Sequence, residues 1–220
     1  MNAGPRTPRD TEAITLVGAG LAGSLLAILL ARRGHRVTLH ERRADPRKAA
    51  GASGRSINLA LANRGIHALE RAGLIDRVRP ATIPMAGRML HDEDGRLQLV
   101  PYGNKPHEVI HSVSRGELNA ILLDEAERTG RVSIRFGETC AGADFSARRV
   151  RVRAPDQTLH DFPYAVLVGT DGSASAVRTA LIDRTRGEVD EQPLGHGYKE
   201  LTIPAAPGGG FRMEKNALHI

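Results

Sequence analysis

The chain has 220 residues, 40% hydrophobic and 25% charged, an ordinary balance for a folded globular protein and too apolar for a disordered one. It carries one Cys, at position 140, which excludes an internal disulfide and a cysteine-based metal site and suits a reducing cytosol, hence a cytoplasmic location. The net charge of +6 is spread over Arg residues interleaved with Asp and Glu and few aromatics, so it points to a solvated surface and anionic small ligands, not to nucleic acid.

Residues 1–12 contain Arg6, Arg9 and Asp10, helix breakers and no apolar core, so they read as a frayed tail and not a secretory signal. An apolar run, ITLV at 14–17, leads into Gly18-x-Gly20-x-x-Gly23 and then a segment with helical spacing through Leu26, Leu29 and Leu30 that ends at Gly34. VTLHE at 37–41 follows as a second strand. The longest apolar stretch, 21–31, is about half of what a bilayer requires and is interrupted by Gly23 and Ser24, so no transmembrane helix is expected. In such a strand, turn, helix, strand unit the first glycine permits the tight turn, the second lets backbone approach a pyrophosphate, and the third lets helix pack on strand. The helix N-terminus adds free N–H groups and a positive dipole end. Glu41 ends the second strand, where a carboxylate can accept the adenosine ribose hydroxyls and disfavours a 2′-phosphate. These residues leave FAD or NAD as the nucleotide.

A Gly-rich stretch at 49–54 leads to RSINLAL at 55–61, and a helix is expected from Asn63 to Arg71, stopped by Gly73. From 85 to 102 the pattern changes to short strand-like pieces around the hairpin turn DEDG at 92–95. Arg88 and Tyr102 flank this excursion, either as a carboxylate clamp or as plain surface residues. SRGE at 114–117 has the form of a capping box, and Leu118, Ile121, Leu122 and Ala126 continue one apolar face to about Thr129. Arg115 sits in that helix's first turn, where a cation is disfavoured unless it serves an anion, so a pyrophosphate or ribose contact competes with a tolerated surface position.

Strands are expected at 132–136, 148–154 and 165–168. The last ends in GTDG at 169–172 and precedes a helix through Val177 and Leu181, which puts Asp171 either at a ligand-bearing sheet edge or in a simple turn. A second glycine-centred turn is hard to explain in a plain NAD dehydrogenase and points to a flavoprotein. Beyond Gly187 the chain is polar, then reads HGYKEL at 196–201, a Gly-rich turn and a strand-like run at 216–220. The His residues show no metal spacing and Gly-x-Ser-x-Gly is absent, so metalloenzyme and hydrolase readings find no support.

Taken together, the glycine turn with Glu41, GRSINLAL at 54–61 with Arg64 and Gly65, SVSR at 112–115 with Leu118 and Asn119, GTDG with Val177 and Arg178, and HGYKEL resemble the single-component aromatic flavoprotein hydroxylases. The second and last of these motifs point to the kynurenine-hydroxylating branch. The resemblance runs from about Ile14 to Ile220. It implies an α/β fold: a Rossmann-like FAD-binding domain at 13–84 and 104–188, with part of a β-sheet substrate domain at 85–103 and 189–220. It implies bound FAD, NADPH and O2 as co-substrates, and L-kynurenine as substrate, hydroxylated to 3-hydroxykynurenine in tryptophan degradation. Carried over by motif, Gly18, Gly20, Leu21, Gly23, Glu41, Arg42, Arg115, Cys140 (through its backbone) and Asp171 would line FAD, and Arg88 with Tyr102 would hold the substrate's α-carboxylate. No acid, base or nucleophile is implied in this stretch. Family members are roughly twice as long, so the chain is expected to be an incomplete form that does not turn over and holds FAD poorly.

Overall fold

The computed structural model describes residues 13–48, 57–105, 107–197 and 203–220. The expected tail at 1–12, the Gly-rich stretch at 49–54 and residues 198–201 of the HGYKEL run lie outside the described residues. In chain order the elements are β1 (Ile14–Val17), α1 (Leu21–Arg32), β2 (Val37–Glu41), β3 (Asn58–Leu61), α2 (Asn63–Arg71), α3 (Ile75–Val78), a 3-10 turn (Arg79–Ala81), β4 (Thr82–Met85), β5 (Gly87–His91), β6 (Leu97–Pro101), β7 (Ile110–Ser114), α4 (Arg115–Arg128), β8 (Val132–Phe136), β9 (Thr139–Asp144), β10 (Arg149–Arg153), β11 (Leu159–Pro163), β12 (Val166–Gly169), α5 (Ala176–Thr185) and β13 (Ala217–His219). None of the described helices is long and apolar enough to cross a membrane. The chain divides into two compact units, Met1–Ser53 with Asn119–Gln192 and Gly54–Leu118 with Pro193–Ile220.

The first unit is built on a parallel sheet of order β12-β1-β2-β8. The apolar runs read from the sequence fill it: all four residues of β1 are buried, as are Val37, Leu39 and Val132. Burial of a strand on both faces is the mark of a parallel sheet covered by helices. From β1 the chain steps through α1 to β2 on one side, whereas β12 lies on the other. That reversal makes the β1/β12 border the topological switch point, where open α/β sheets bind ligands. Helix α1 turns Gly23, Ser24, Ala27, Ile28 and Ala31 inward, and all of these but Ile28 are small residues that let it lie close to the sheet. A second, antiparallel sheet, β11-β10-β9, packs Val150 and Val152 with Val17 and Val177 into one cluster, against which Cys140 and Phe162 rest. The loop after β2 is pinned by Arg47, whose guanidinium bonds buried Asp45 and reaches Asp124 and Glu127 of α4. The Arg47 guanidinium beside it holds the Asp45 carboxyl below its ordinary value.

Among its described residues the second unit holds two three-stranded sheets. In one, β7 pairs with both β3 and β4. In the other, β5 pairs antiparallel with β6 and parallel with β13. The hairpin expected around residues 92–95 is present: Gly95 has φ of 79° and donates its N–H to the Asp92 carbonyl at 3.0 Å. Strands β4, β7, β9 and β11 carry too little periodicity in sequence to have been read there. Each finds its place through pairing, β4 on β7, for example, although Pro84 interrupts its donors.

Candidate nucleotide-binding site

Parallel register brings three strand ends into line. Val17 is paired with both Gly169 and His40, so the glycine turn, Thr170-Asp171 and Glu41 all leave the sheet at its carboxyl edge. Six of the residues expected around the nucleotide, Gly18, Gly20, Leu21, Gly23, Glu41 and Asp171, meet there.

The three glycines have three different surroundings. Gly18 has φ of 99°, and a Cβ on it would lie 2.5 Å from the Thr170 carbonyl oxygen, so the first turn is pressed against the second. A Cβ on Gly23 would lie 2.0 Å from the Gly18 carbonyl oxygen and 2.6 Å from Thr170 Oγ1. A Cβ on Gly20 would meet nothing within 4 Å among the described residues. Two positions are filled by the protein itself, and the middle one faces open space. Gly20 is also the N-cap of α1, offers no side chain to its free N–H groups, and no acidic residue stands in the helix's first turn. A helix start with no side-chain cap and no acidic residue in its own first turn leaves N–H donors for an anion. By contrast α5, after the second turn, is capped from within: Ser175 Oγ accepts from Arg178 N–H at 3.0 Å, and the Asp171 carboxylate accepts from Ser175 Oγ and from Val177 N–H. Asp171 thus has a structural task that a turn-based reading of Asp-Gly does not contain.

Glu41 reaches back to the glycine turn. Its Oε2 accepts the Ala19 N–H at 2.8 Å and its Oε1 accepts the Arg43 N–H at 2.9 Å. A carboxylate offers about four acceptor sites, so roughly two remain for ribose hydroxyls. On the opposite face of β2, His40 is buried, with Nδ1 2.6 Å from Glu138 Oε2 and its ring 5.3 Å from that of Phe162. Burial pushes its pKa down, against the raising effect of Glu138. Arg42 is exposed just beyond Glu41. Cys140, in β9, is partly buried, its thiol donates to the Gly142 carbonyl at 3.6 Å, and burial raises its pKa.

The remaining expected residues belong to the second unit. Arg88 on β5 and Tyr102 just past β6 are brought together, the guanidinium 5.6 Å from the ring centroid. The Tyr102 hydroxyl is buried and has no hydrogen-bond partner among the described residues. Arg115 is the first residue of α4, exposed, and its N–H donates to the Ile57 carbonyl at 3.2 Å.

Two residues at the glycine turn were not singled out from sequence. Ser24 Oγ donates to the Ala19 carbonyl at 3.1 Å. Thr170 Oγ1 lies 2.8 Å from both the Val17 and the Gly18 carbonyl oxygens. Thr170 sits inside the GTDG motif, so the signal was present, but only the pairing of β12 with β1 shows which backbone its hydroxyl meets. Among the described residues there is no group of three or more potential metal ligands.

A family model described as an FAD binding domain matches residues 10–195. The chain is similar to kynurenine 3-monooxygenase of Myxococcus xanthus (strain DK1622), 51% identical over 211 residues that make up 95% of this chain and 45% of the relative. It is similar also to kynurenine 3-monooxygenase of Stenotrophomonas maltophilia (strain K279a), 48% identical over 96% of this chain and 46% of that one. The chain therefore spans about half the length of the curated relatives it matches. Among solved structures, p-nitrophenol 4-monooxygenase PnpA from Pseudomonas putida DLL-E4 superposes with a TM-score of 0.65 at 19% identity, over 78% of this chain and 44% of that one. PqsL from Pseudomonas aeruginosa, described as a probable FAD-dependent monooxygenase, gives 0.60 at 25% identity over 83% and 48%.

Proposed function

The chain belongs to the FAD-binding domain family whose model spans residues 10–195, and from that membership we propose that the whole protein hydroxylates the aromatic ring of L-kynurenine, giving 3-hydroxykynurenine with NADPH and O2 as co-substrates. The observation that carries the nucleotide part is the open cradle at Gly20 beneath the uncapped start of α1, with Glu41 beside it on the same sheet edge. The substrate part is supported by relatives at 51% and 48% identity that are named for this reaction. Bound FAD supplies the redox and oxygen-transfer chemistry.

The protein's own residues position what reacts. The backbone at Gly18, Gly20 and Gly23 and the N–H of Leu21 receive the pyrophosphate, and Glu41 accepts the adenosine ribose hydroxyls. Arg42, Arg115, Asp171 and the backbone of Cys140 complete the FAD contacts. Arg88 and Tyr102 hold the α-carboxylate of the substrate, a role in which the partnerless Tyr102 hydroxyl gains an acceptor and the guanidinium a charge. On this reading 13–84 and 104–188 serve the nucleotide, and 85–103 with 189–220 serve the substrate.

The first test is reconstitution with FAD: a yellow complex with a shifted flavin spectrum is expected, and a preparation that FAD leaves colourless would sink the flavoprotein assignment. For the whole protein, L-kynurenine is expected to accelerate NADPH oxidation. Acceleration by a different aromatic acid alone would retain the family and reject the substrate.

A further inference from the structure

We propose that Thr170 is a positioning residue for the dinucleotide turn, its hydroxyl holding the Gly18 carbonyl so that the start of α1 is set before FAD arrives. The inference rests on the FAD-binding reading of this edge and adds a residue to it.

Thr170 is attached to the glycine turn twice. Its N–H donates to the Val17 carbonyl at 2.8 Å, extending the β1–β12 ladder by one bond past Gly169. Its Oγ1 then lies 2.8 Å from the Val17 and Gly18 carbonyl oxygens alike. A hydroxyl has one proton, and the Val17 carbonyl already accepts the Thr170 N–H, so Gly18 is the carbonyl that gains most from it. That oxygen is crowded on one side: the Gly23 Cα approaches so closely that a Cβ there would fall 2.0 Å from it and 2.6 Å from Thr170 Oγ1. Without the Thr170 hydroxyl the carbonyl loses a donor that fixes its direction, and the turn is freer to shift.

The direction of that carbonyl decides the direction of the next amide. The Gly18 carbonyl and the Ala19 N–H belong to one planar peptide, so holding the oxygen toward Thr170 points the N–H the other way, onto Glu41 Oε2 at 2.8 Å. One peptide plane therefore connects the Thr170 hydroxyl to the ribose-binding carboxylate. Ser24 Oγ fixes the following carbonyl, that of Ala19, at 3.1 Å. Two hydroxyls clamp successive carbonyls on the protein side of the turn, and Gly20 is left facing open space.

The test uses Thr170→Ala, which removes the hydroxyl without adding bulk, and Thr170→Ser, which keeps it. In the FAD-free chain, hydrogen–deuterium exchange of the segment 18–24 is expected to speed up about tenfold in Thr170→Ala. Exchange in β10 and β11 should stay at the wild-type rate. The dissociation constant for FAD, read by flavin fluorescence, is expected to rise by a similar factor, because a loosened turn must be re-ordered on binding. Thr170→Ser should match wild type in both readouts. Unchanged exchange at 18–24 in Thr170→Ala overturns the proposal, as does a Thr170→Ser variant that behaves like Ala. Should Thr170→Ala unfold globally, Thr170→Ser decides by the same two readouts. A wild-type chain that fails to bind FAD refutes the nucleotide reading, while the exchange rates still decide whether Thr170 holds the turn.

Discussion

The three glycines of one motif do unequal work. Gly23 is required by packing, since any side chain there meets the Gly18 carbonyl at 2.0 Å, and backbone cannot retreat as a flexible side chain would. Gly20 meets no packing constraint among the described residues: its φ of −72° suits any residue and its Cβ direction is empty. Gly20→Ala is therefore expected to keep thermal stability within about 1 kcal/mol of wild type, the loss being that of an Ala N-cap, which is poorer than Gly. Its FAD affinity should fall at least tenfold, as measured by flavin titration. Gly23→Ala should instead lower the melting temperature before any ligand is added. If the two variants lose stability equally, Gly20 is a folding residue and the open cradle is not a ligand's place.

At the scale of elements, the contrast lies between two helices that start at the same sheet edge. Helix α1 begins on a glycine with no cap, whereas α5 begins on Ser175, whose hydroxyl accepts from Arg178 N–H while donating to Asp171. A helix that caps itself is built for stability, and one left uncapped keeps its N–H groups for a ligand. Ser175→Ala is expected to cost about 1 kcal/mol of unfolding free energy by urea denaturation. Because the same change removes one of the two bonds to the Asp171 carboxylate and leaves that from Val177 N–H, Ser175→Ala also tests how far Asp171 relies on its cap for orientation; FAD affinity should move with Ser175 if it does. A stability loss with unchanged affinity would confine Ser175 and its bond to Asp171 to folding.

At the scale of the folded chain, His40 is the buried group expected to make stability depend on pH. It lies 1% exposed on β2, bonded to Glu138 of the turn after β8, against Phe162 of the antiparallel sheet and near Arg135. Burial is the largest influence and lowers its pKa below the ordinary 6.5, with Arg135 adding to the fall and Glu138 opposing it. A group whose folded pKa is depressed contributes stability above its unfolded pKa and loses it as pH falls through the folded one, because the unfolded chain takes up the proton first. The urea midpoint is expected to drop between pH 7 and pH 5.5, and His40→Gln, which stays neutral, should flatten that slope. A variant with the wild-type slope would assign the pH dependence to other groups.

The sequence alone determined several elements almost residue by residue: β1 and β2 of the βαβ unit, and beyond it α2 and β8, lie where apolar runs, glycine stops and helical spacing place them. Local signals suffice there because strand alternation, capping and glycine turns are set by a few neighbouring residues. The same local signals found the hairpin and the start of α4 at Arg115. What only tertiary structure decided is everything that depends on partners far along the chain. Strands β4, β7, β9 and β11 are short and weakly patterned, and pairing selects them. Glu41 and Ala19, or Thr170 and Gly18, are joined by the register of β12-β1-β2, and a hydrogen bond between residues 22 or 152 positions apart leaves no periodic trace in the sequence. Glycine spacing identified the turn. The open direction of Gly20, and the hydroxyl that holds the turn in place, became visible only once the three strand ends stood side by side.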